Sequence, residues 1–318
     1  MPTVAEIIRN IDEPSFSFEL LPPLKGNSIQ KVFSTIDKLK EFNPQYINIT
    51  SHRDEVVYKT NEKGFTERRV YRKRPGTVAV AASIQHKYQI PVVPHLICSG
   101  FTRSETEYAL IDLNFLGIHD LLLLRGDSSS RHQFYKPEEQ GNAYAIDLIH
   151  QVNNLNKGLF LDGTLMEPFE TPFSYGVAGY PEKHEEAPNL DSDIYWLKQK
   201  VDAGAEYVIT QMFFDNEKFF NFVKKCREAG IKVPIVPGIK PINIKNQLTI
   251  LPKVFHTEIP ESLARELRKC KNNDDTAKVG TEWAIMQSKE LLSRGFNLLH
   301  FYSMMATQCV YNIAREIY

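Results

Sequence analysis

A carboxylate set in an apolar run is the first sign of chemistry in this chain. Glu19 lies within Phe16-Ser-Phe-Glu-Leu-Leu-Pro-Pro23, where burying a charge is costly. Strand alternation places Phe16, Phe18 and Leu20 on one face and Ser17, Glu19 and Leu21 on the other. A carboxyl among apolar neighbours keeps its proton to higher pH, which suits it to general acid work near neutrality. The same position equally fits a structural carboxylate paired with a buried Arg or Lys. Other polar residues fall near the ends of further β-rich runs: Thr50-Ser-His52, His95, Arg125-Gly-Asp127, Tyr180-Pro-Glu-Lys-His184, Thr210-Gln211, Pro237-Gly-Ile-Lys240 and Tyr302-Ser303. Such acids, amides, imidazoles and a guanidinium suit a polar heterocyclic ligand better than a filled core. Each alone has a plainer reading, His95 as a hydrogen-bonded core histidine and Gln211 as a tie within a layer. His52, His95 and His184 lack the H-x-x-x-H or H-x-x-E spacing of a metal site.

The elements that must position these residues are short and regular. Strands are expected at 16–21, 46–50, 92–98, 120–125, 174–180, 207–214, 233–239 and 298–303, with amphipathic helices between most of them. Asn27 or Ser28 can cap a helix whose Ile29, Val32, Phe33, Ile36 and Leu39 share a face. Thr102-Arg-Ser-Glu105 reads as a capping box, Gly230 and Gly295 as helix stops, and Asn272-Asn-Asp-Asp275 as a helix start. The alternation predicts an α/β chain folded as a parallel (β/α)8 TIM barrel, one catalytic domain over 1–318, with a doubly wound sheet as the alternative. A barrel of this kind gathers its active site at the C-terminal ends of its strands, where the polar residues lie. Three segments break the rhythm. Residues 52–76, with Lys59, Lys63, Arg68, Arg69, Arg72, Lys73 and Arg74, read either as a phosphate-binding surface or as a solvated loop or hairpin. Residues 128–142 read as a polar loop and 253–280 as extra helical turns.

Composition narrows the function classes. The chain has 318 residues, 42% of them hydrophobic, and a formal charge of −1, so nothing in its charge points to nucleic acid. The first residues lack a secretory h-region and no apolar run is long enough to span a membrane, which makes the cytoplasm the default location. With no secretory signal, Arg125-Gly-Asp127 is not read as an adhesion motif. Cys98, Cys226, Cys270 and Cys309 show no C-x-x-C spacing, so neither zinc nor a disulfide framework is indicated. The sixteen glycines form no G-x-G-x-x-G and no Walker loop. Any nucleotide cofactor would therefore lie across the barrel mouth, its phosphates met by side chains and helix N-termini. Lys200 is a candidate for that duty, or a plainly solvated lysine.

Five motifs in order, Ser17-Phe-Glu-Leu-Leu-Pro-Pro23, Leu123-Leu-Arg-Gly-Asp127, Tyr180-Pro-Glu-Lys-His-Glu-Glu-Ala187, Lys200-Val-Asp-Ala-Gly-Ala205 and Ile209-Thr-Gln-Met-Phe-Phe-Asp215, resemble the methylenetetrahydrofolate reductase family in its bacterial, barrel-only form. The resemblance runs from about residue 15 to the last helix and implies a flavin-dependent (β/α)8 barrel. It implies that NADH or NADPH reduces bound FAD and leaves, and that 5,10-methylenetetrahydrofolate then accepts a hydride to give 5-methyltetrahydrofolate, feeding methyl groups to methionine synthesis. Glu19 matches the family's catalytic acid, and Asp127 the carboxylate beside the flavin that tunes its potential and helps hold the pterin. Gln211 and Gln247 match folate-binding amides, Gln211 also touching the nicotinamide. The matching flavin positions are Thr50, Ser51, His95, Arg125, Gly126, Asp127, Ala145, Tyr180, His184, Ala187, Asp193 and Lys200. The chain departs from the better-known bacterial pattern at Trp196 and Gln199, where Asn and Arg are usual. After Phe301-Tyr302 the usual Thr-Leu-Asn-Arg is replaced by Ser303-Met-Met-Ala306, so the expected arginine has no counterpart. The chain ends after the barrel, so feedback by S-adenosylmethionine is not expected; a homo-oligomer is compatible with it.

Two other readings stand beside this one. Lys240 at the end of the seventh strand would suit a Schiff-base aldolase, although Pro241 directly after it argues for a turn. The missing arginine would also suit a folate- or flavin-binding barrel that has lost catalysis.

Overall fold

The computed structural model describes residues 2–62, 64–128, 135–304 and 306–318. Its parallel barrel strands are β1 (Ser15–Leu20), β2 (Ile47–Ile49), β5 (Val92–Ile97), β6 (Asp120–Leu124), β7 (Ser174–Gly179), β8 (Tyr207–Thr210), β9 (Ile235–Val236), β10 (Gly238–Ile239) and β11 (Leu298–Tyr302). Hydrogen bonding runs in the order β10-β11-β1-β2-β5-β6-β7-β8-β9. Because β9 and β10 flank Pro237, they are two halves of one strand, and through it the ring comes round on itself. The half before Pro237 pairs with β8 and the half after it with β11. Proline has no N–H for the ladder, and here its carbonyl accepts from His300 N–H at 3.0 Å. The expected (β/α)8 barrel is thus the observed fold, and the doubly wound alternative is set aside because the sheet order has no reversal point.

Period-two alternation sorts the side chains as the sequence implied. Phe16, Phe18, Ile47, Ile49, Leu299 and Phe301 face outward into the core shared with the helices. Ser17, Asn48, His95 and His300 are buried on the inner side of the same strands. Helix α1 (Val4–Arg9) covers the N-terminal end of the barrel, its Val4 N–H held by Asp120 Oδ1 at 2.8 Å. At the other terminus, α11 (Thr307–Ile317) delivers Tyr318, which stacks on Phe16 with ring centroids 5.0 Å apart.

The remaining helices follow their local signals with one difference. Helix α2 (Gln30–Leu39) has no side-chain cap of the kind expected from Asn27 or Ser28; Ser28 Oγ accepts only from Gln30 N–H, and Asn27 turns back to the Leu24 carbonyl. Helix α3 spans Thr77–Tyr88, and Thr102 and Glu105 form the capping box of α4 (Arg103–Phe115). Helices α5 (Ala145–Asn156), α6 (Leu190–Asp202) and α7 (Asn216–Glu228) complete the middle units, and Gly230 follows the end of α7 with a positive φ. The extra helical turns are α8 (Gln247–Phe255), α9 (Glu261–Lys269) and the start of α10 (Asn273–Ser293), capped by Asn272 and followed by Gly295.

The basic segment 52–76 is a two-stranded antiparallel hairpin, β3 (Glu55–Thr60) with β4 (Thr66–Tyr71). Three of its cations are matched locally: Arg69 pairs with Glu67, Arg72 with Asp54 and Lys73 with Glu55. Of the expected polar loop at 128–142, residues 129–134 lie outside the described residues, as does Lys63.

Candidate active site

Glu19 sits at the C-terminal end of β1 with 6% of its surface exposed. In register it lies opposite Asn48 of β2 on one side and Tyr302 of β11 on the other. Burial pushes its carboxyl up from 4.5 to about 8, while the Lys240 ammonium pulls the other way. His95 Nε2 is 3.8 Å from Glu19 Oε2 and 3.1 Å from the Asn48 amide nitrogen. Burial lowers the imidazole of His95 to about 3, with His52 adding to the effect. A neutral imidazole beside a protonated carboxyl makes no ion pair; the buried lysine that the structural-carboxylate reading asks for is Lys240, whose ammonium acts on Glu19.

Lys240 follows β10 and is 4% exposed. Its Nζ donates to the Tyr302 carbonyl at 3.1 Å and the Met304 carbonyl at 3.0 Å. Burial lowers it to about 8, and the Glu19 charge works against that. A Schiff-base lysine needs its nitrogen turned to a substrate carbonyl; this one is engaged by the loop behind it. Tyr302 in turn passes over Gly238, and its hydroxyl donates to the Thr210 carbonyl at 2.6 Å. Ser303 Oγ donates to the Glu19 carbonyl at 2.5 Å. Met305, in the segment that departs from the family pattern, lies outside the described residues.

A second group forms around the ends of β6 and β7. Gly126 adopts φ +81°, the left-handed turn that glycine tolerates, and it leaves Asp127 exposed. The turn is fixed from behind: Arg53 donates to Ser99 Oγ at 2.9 Å and to the Ser128 carbonyl at 2.6 Å, and Ser99 Oγ donates to the Asp127 carbonyl at 2.6 Å. Arg125 grips Glu186 through both terminal nitrogens and lies 4.4 Å from the Tyr135 ring centroid, yet its buried Nε has no partner among the described residues. Tyr180 and His184 meet edge to face at 4.9 Å. His184 N–H donates to Asp193 Oδ2 at 2.9 Å, and Lys200 Nζ donates to the Ala178 carbonyl at 3.2 Å. Burial lowers Lys200 to about 8, against the pull of Asp193. Tyr180 senses the charges of Asp193, Asp127 and Arg125, and Tyr302 those of Glu19 and Tyr180, so the two groups share one mouth.

The other expected positions are more loosely placed. Thr50 Oγ1 is 3.0 Å from His52 Nε2, and Ser51 and Ala187 are partly buried. Ala145 opens α5. The Gln211 side-chain oxygen accepts from Met212 N–H at 2.9 Å, and that of Gln247 from the N–H groups of Asn243 and Ile244. Trp196 stands on the open face of α6, 57% exposed. Among the described residues no three His, Cys, Asp or Glu side chains are placed to hold a metal, and all four cysteines are buried and free. Asn48, His300 and Arg53 were not singled out in the sequence. For Asn48 and His300 the signal was present, since they alternate with Thr50 and Tyr302 on the inward face.

The family model described as methylenetetrahydrofolate reductase matches residues 4–318. The chain belongs to the methylenetetrahydrofolate reductase family. Among its relatives in that family is methylenetetrahydrofolate reductase (NADH) 1 of Arabidopsis thaliana, 30% identical across 95% of this chain and 48% of the plant protein. The 5,10-methylenetetrahydrofolate reductase of Salmonella typhimurium is 31% identical across 95% of this chain and 90% of its own length. The chain therefore spans about half the length of the plant relative, and 43% of a Caenorhabditis elegans relative named as probable methylenetetrahydrofolate reductase (NADPH). A Clostridium thermocellum protein whose structure is described as binding two copies of 5-methyl-5,6,7,8-tetrahydrofolic acid shares the fold, with TM-score 0.59, 15% identity and 98% of each chain covered. The reductase family and the barrel thus agree, and no helix among the described residues is long and apolar enough to cross a membrane.

Proposed function

We propose that this chain reduces 5,10-methylenetetrahydrofolate to 5-methyltetrahydrofolate, with FAD across the barrel mouth and NADH or NADPH as reductant, and so supplies methyl groups for methionine synthesis. The observation that carries the reading is Glu19, a buried carboxyl raised to about 8 at the catalytic end of the barrel. The bacterial relatives covered over most of their length, and the folate-binding neighbour of the same fold, support it.

The donor set around Arg125 suits a dinucleotide. Arg125 has a buried guanidinium nitrogen without a partner among the described residues, and Lys200 is a second cation; each is the kind of group that phosphates engage. Arg125, His184 and Lys200 would hold phosphate, with Asp193 orienting His184 through its backbone. Thr50, Ser51, His95, Gly126, Ala145, Tyr180 and Ala187 would line the remainder. When bound, the flavin supplies hydride transfer between the nicotinamide and the folate.

The protein's own part is acid catalysis and placement. The product carries its methyl group on N5, so the bond from the methylene carbon to N10 must break, its electron pair going to N10. Glu19, protonated at neutral pH, delivers its proton to N10 as that bond opens, leaving a carboxylate on the enzyme and an N5 iminium on the substrate. The iminium carbon then accepts the hydride, and Glu19 is reloaded from solvent. Asp127, exposed beside the Arg125 turn, would set a negative charge near the flavin and help hold the pterin, while Gln211 and Gln247 would bind the folate through their amides. The test is purification followed by anaerobic addition of NADH or NADPH. A yellow protein whose flavin absorbance bleaches is expected, whereas a colourless protein that binds no flavin would overturn the reading.

A further inference from the structure

We infer that Lys240 is a positioning residue for Glu19: its buried cation stabilises the carboxylate left when Glu19 gives up its proton, and its two bonds hold the Tyr302–Met304 segment that braces Glu19. The inference rests on the reductase reading for the reaction it serves, but not for the coupling itself.

The geometry begins with register. Gly238 lies opposite His300 and Ile239 opposite Phe301, so the next step places Lys240 beside Tyr302, which is itself opposite Glu19. Glu19, Tyr302 and Lys240 thus occupy one row across three adjoining strands, all on the inward side. Strands in a sheet are about 4.8 Å apart, so a lysine stem reaches across the row. Lys240 uses that reach to donate to the carbonyls of Tyr302 and Met304, and between those residues Ser303 Oγ grips the Glu19 carbonyl. Backbone carbonyls orient the ammonium without neutralising it, so its positive charge remains available to Glu19.

The other titratable groups do not supply that charge. His95 on β5 is the nearest, but burial keeps it neutral, and His52 and His300 are lowered likewise. Tyr302 on β11 is held neutral by burial. Cys309 on α11 acts on Lys240 and not on Glu19. Among the described residues, then, Lys240 is the cation that Glu19 feels. A buried acid with no such partner holds its proton too tightly to release it at the moment of need.

The experiment follows the Glu19 carboxyl by 13C NMR in protein labelled at glutamate side-chain carboxyls, with Glu19→Gln assigning the signal. Native protein, Lys240→Gln, Lys240→Met and Lys240→Arg are titrated from pH 5 to 10. Lys240→Gln keeps a donor for the two carbonyls while removing the charge, so it stands if Lys240→Met does not fold. The expected result is a Glu19 midpoint about one unit or more higher in Lys240→Gln and Lys240→Met and near native in Lys240→Arg. Folate turnover in Lys240→Gln should fall about 10- to 100-fold at neutral pH. A Glu19 midpoint that is the same in native protein and both uncharged variants overturns the inference. A midpoint that moves in a protein with no folate turnover supports the coupling and removes the reaction assigned to it.

Discussion

The Tyr302 hydroxyl crosses over Gly238 to donate to the Thr210 carbonyl at 2.6 Å, tying β11 to β8 across the split strand between them. Pro237 breaks the ladder there, and Gly238 N–H turns to Thr210 Oγ1 at 2.9 Å. The crossing requires that position 238 carry no side chain, since a Cβ would lie 2.6 Å from the Tyr302 ring and 2.3 Å from the Thr210 carbonyl.

Gly238→Ala should therefore destabilise the fold by about 1–3 kcal/mol, the usual cost of overpacking. Tyr302→Phe keeps the ring and loses only the hydrogen bond, for about 1 kcal/mol. Denaturant unfolding of the three proteins checks the order; an alanine variant as stable as native protein would contradict the crossing.

If the proposed function holds, flavin retention should depend on the second group. Arg125→Ala and Lys200→Met should each weaken flavin binding by about 1.5–3 kcal/mol, the worth of a charge-assisted hydrogen bond. Equilibrium dialysis against FAD reads this directly. Glu186→Gln should tighten binding, because Glu186 now holds both terminal nitrogens of Arg125.

How much of this was legible in the sequence depends on distance along the chain. The barrel was legible because alternation within β1, β2 and β11 and capping at Thr102 and Asn272 are local signals. The inward placement of Glu19 came from the same alternation. What the sequence could not carry were partners brought together by closure of the ring. Lys240 and Tyr302 are 62 positions apart, and Arg53 reaches across to Ser128, 75 positions on. Lys240 read alone invites a Schiff base; only its two carbonyl partners make it a brace. Capping of α2 was misread because Asn27 and Ser28 sit in a turn that satisfies itself first.

Stability should record the cost of keeping Glu19 buried. Its carboxyl titrates near 4.5 in the unfolded chain and at about 8 in the fold, so the folded state binds the proton more tightly. Stability from this group is fully present below 4.5 and is lost as pH rises through about 8. Glu19→Gln removes the dependence: its melting temperature should match native protein near pH 4.5 and exceed it increasingly towards pH 8. Parallel melting curves across that range would argue against the raised carboxyl.

Under the proposed function, the pH dependence of folate turnover should have the same origin. Because the proton donor must be protonated, the step consuming methylenetetrahydrofolate should fall as pH rises through about 8. Single-turnover rates measured against pH check this, and a limb near 4.5 would mean a solvated carboxyl.

The most direct test separates the two half-reactions in Glu19→Gln under anaerobic conditions. With NADH or NADPH its flavin absorbance should bleach at close to the native rate, and on addition of methylenetetrahydrofolate its recovery should be slowed about 100- to 10,000-fold. Recovery at the native rate would contradict Glu19 as the acid, and with it the central claim about this barrel mouth.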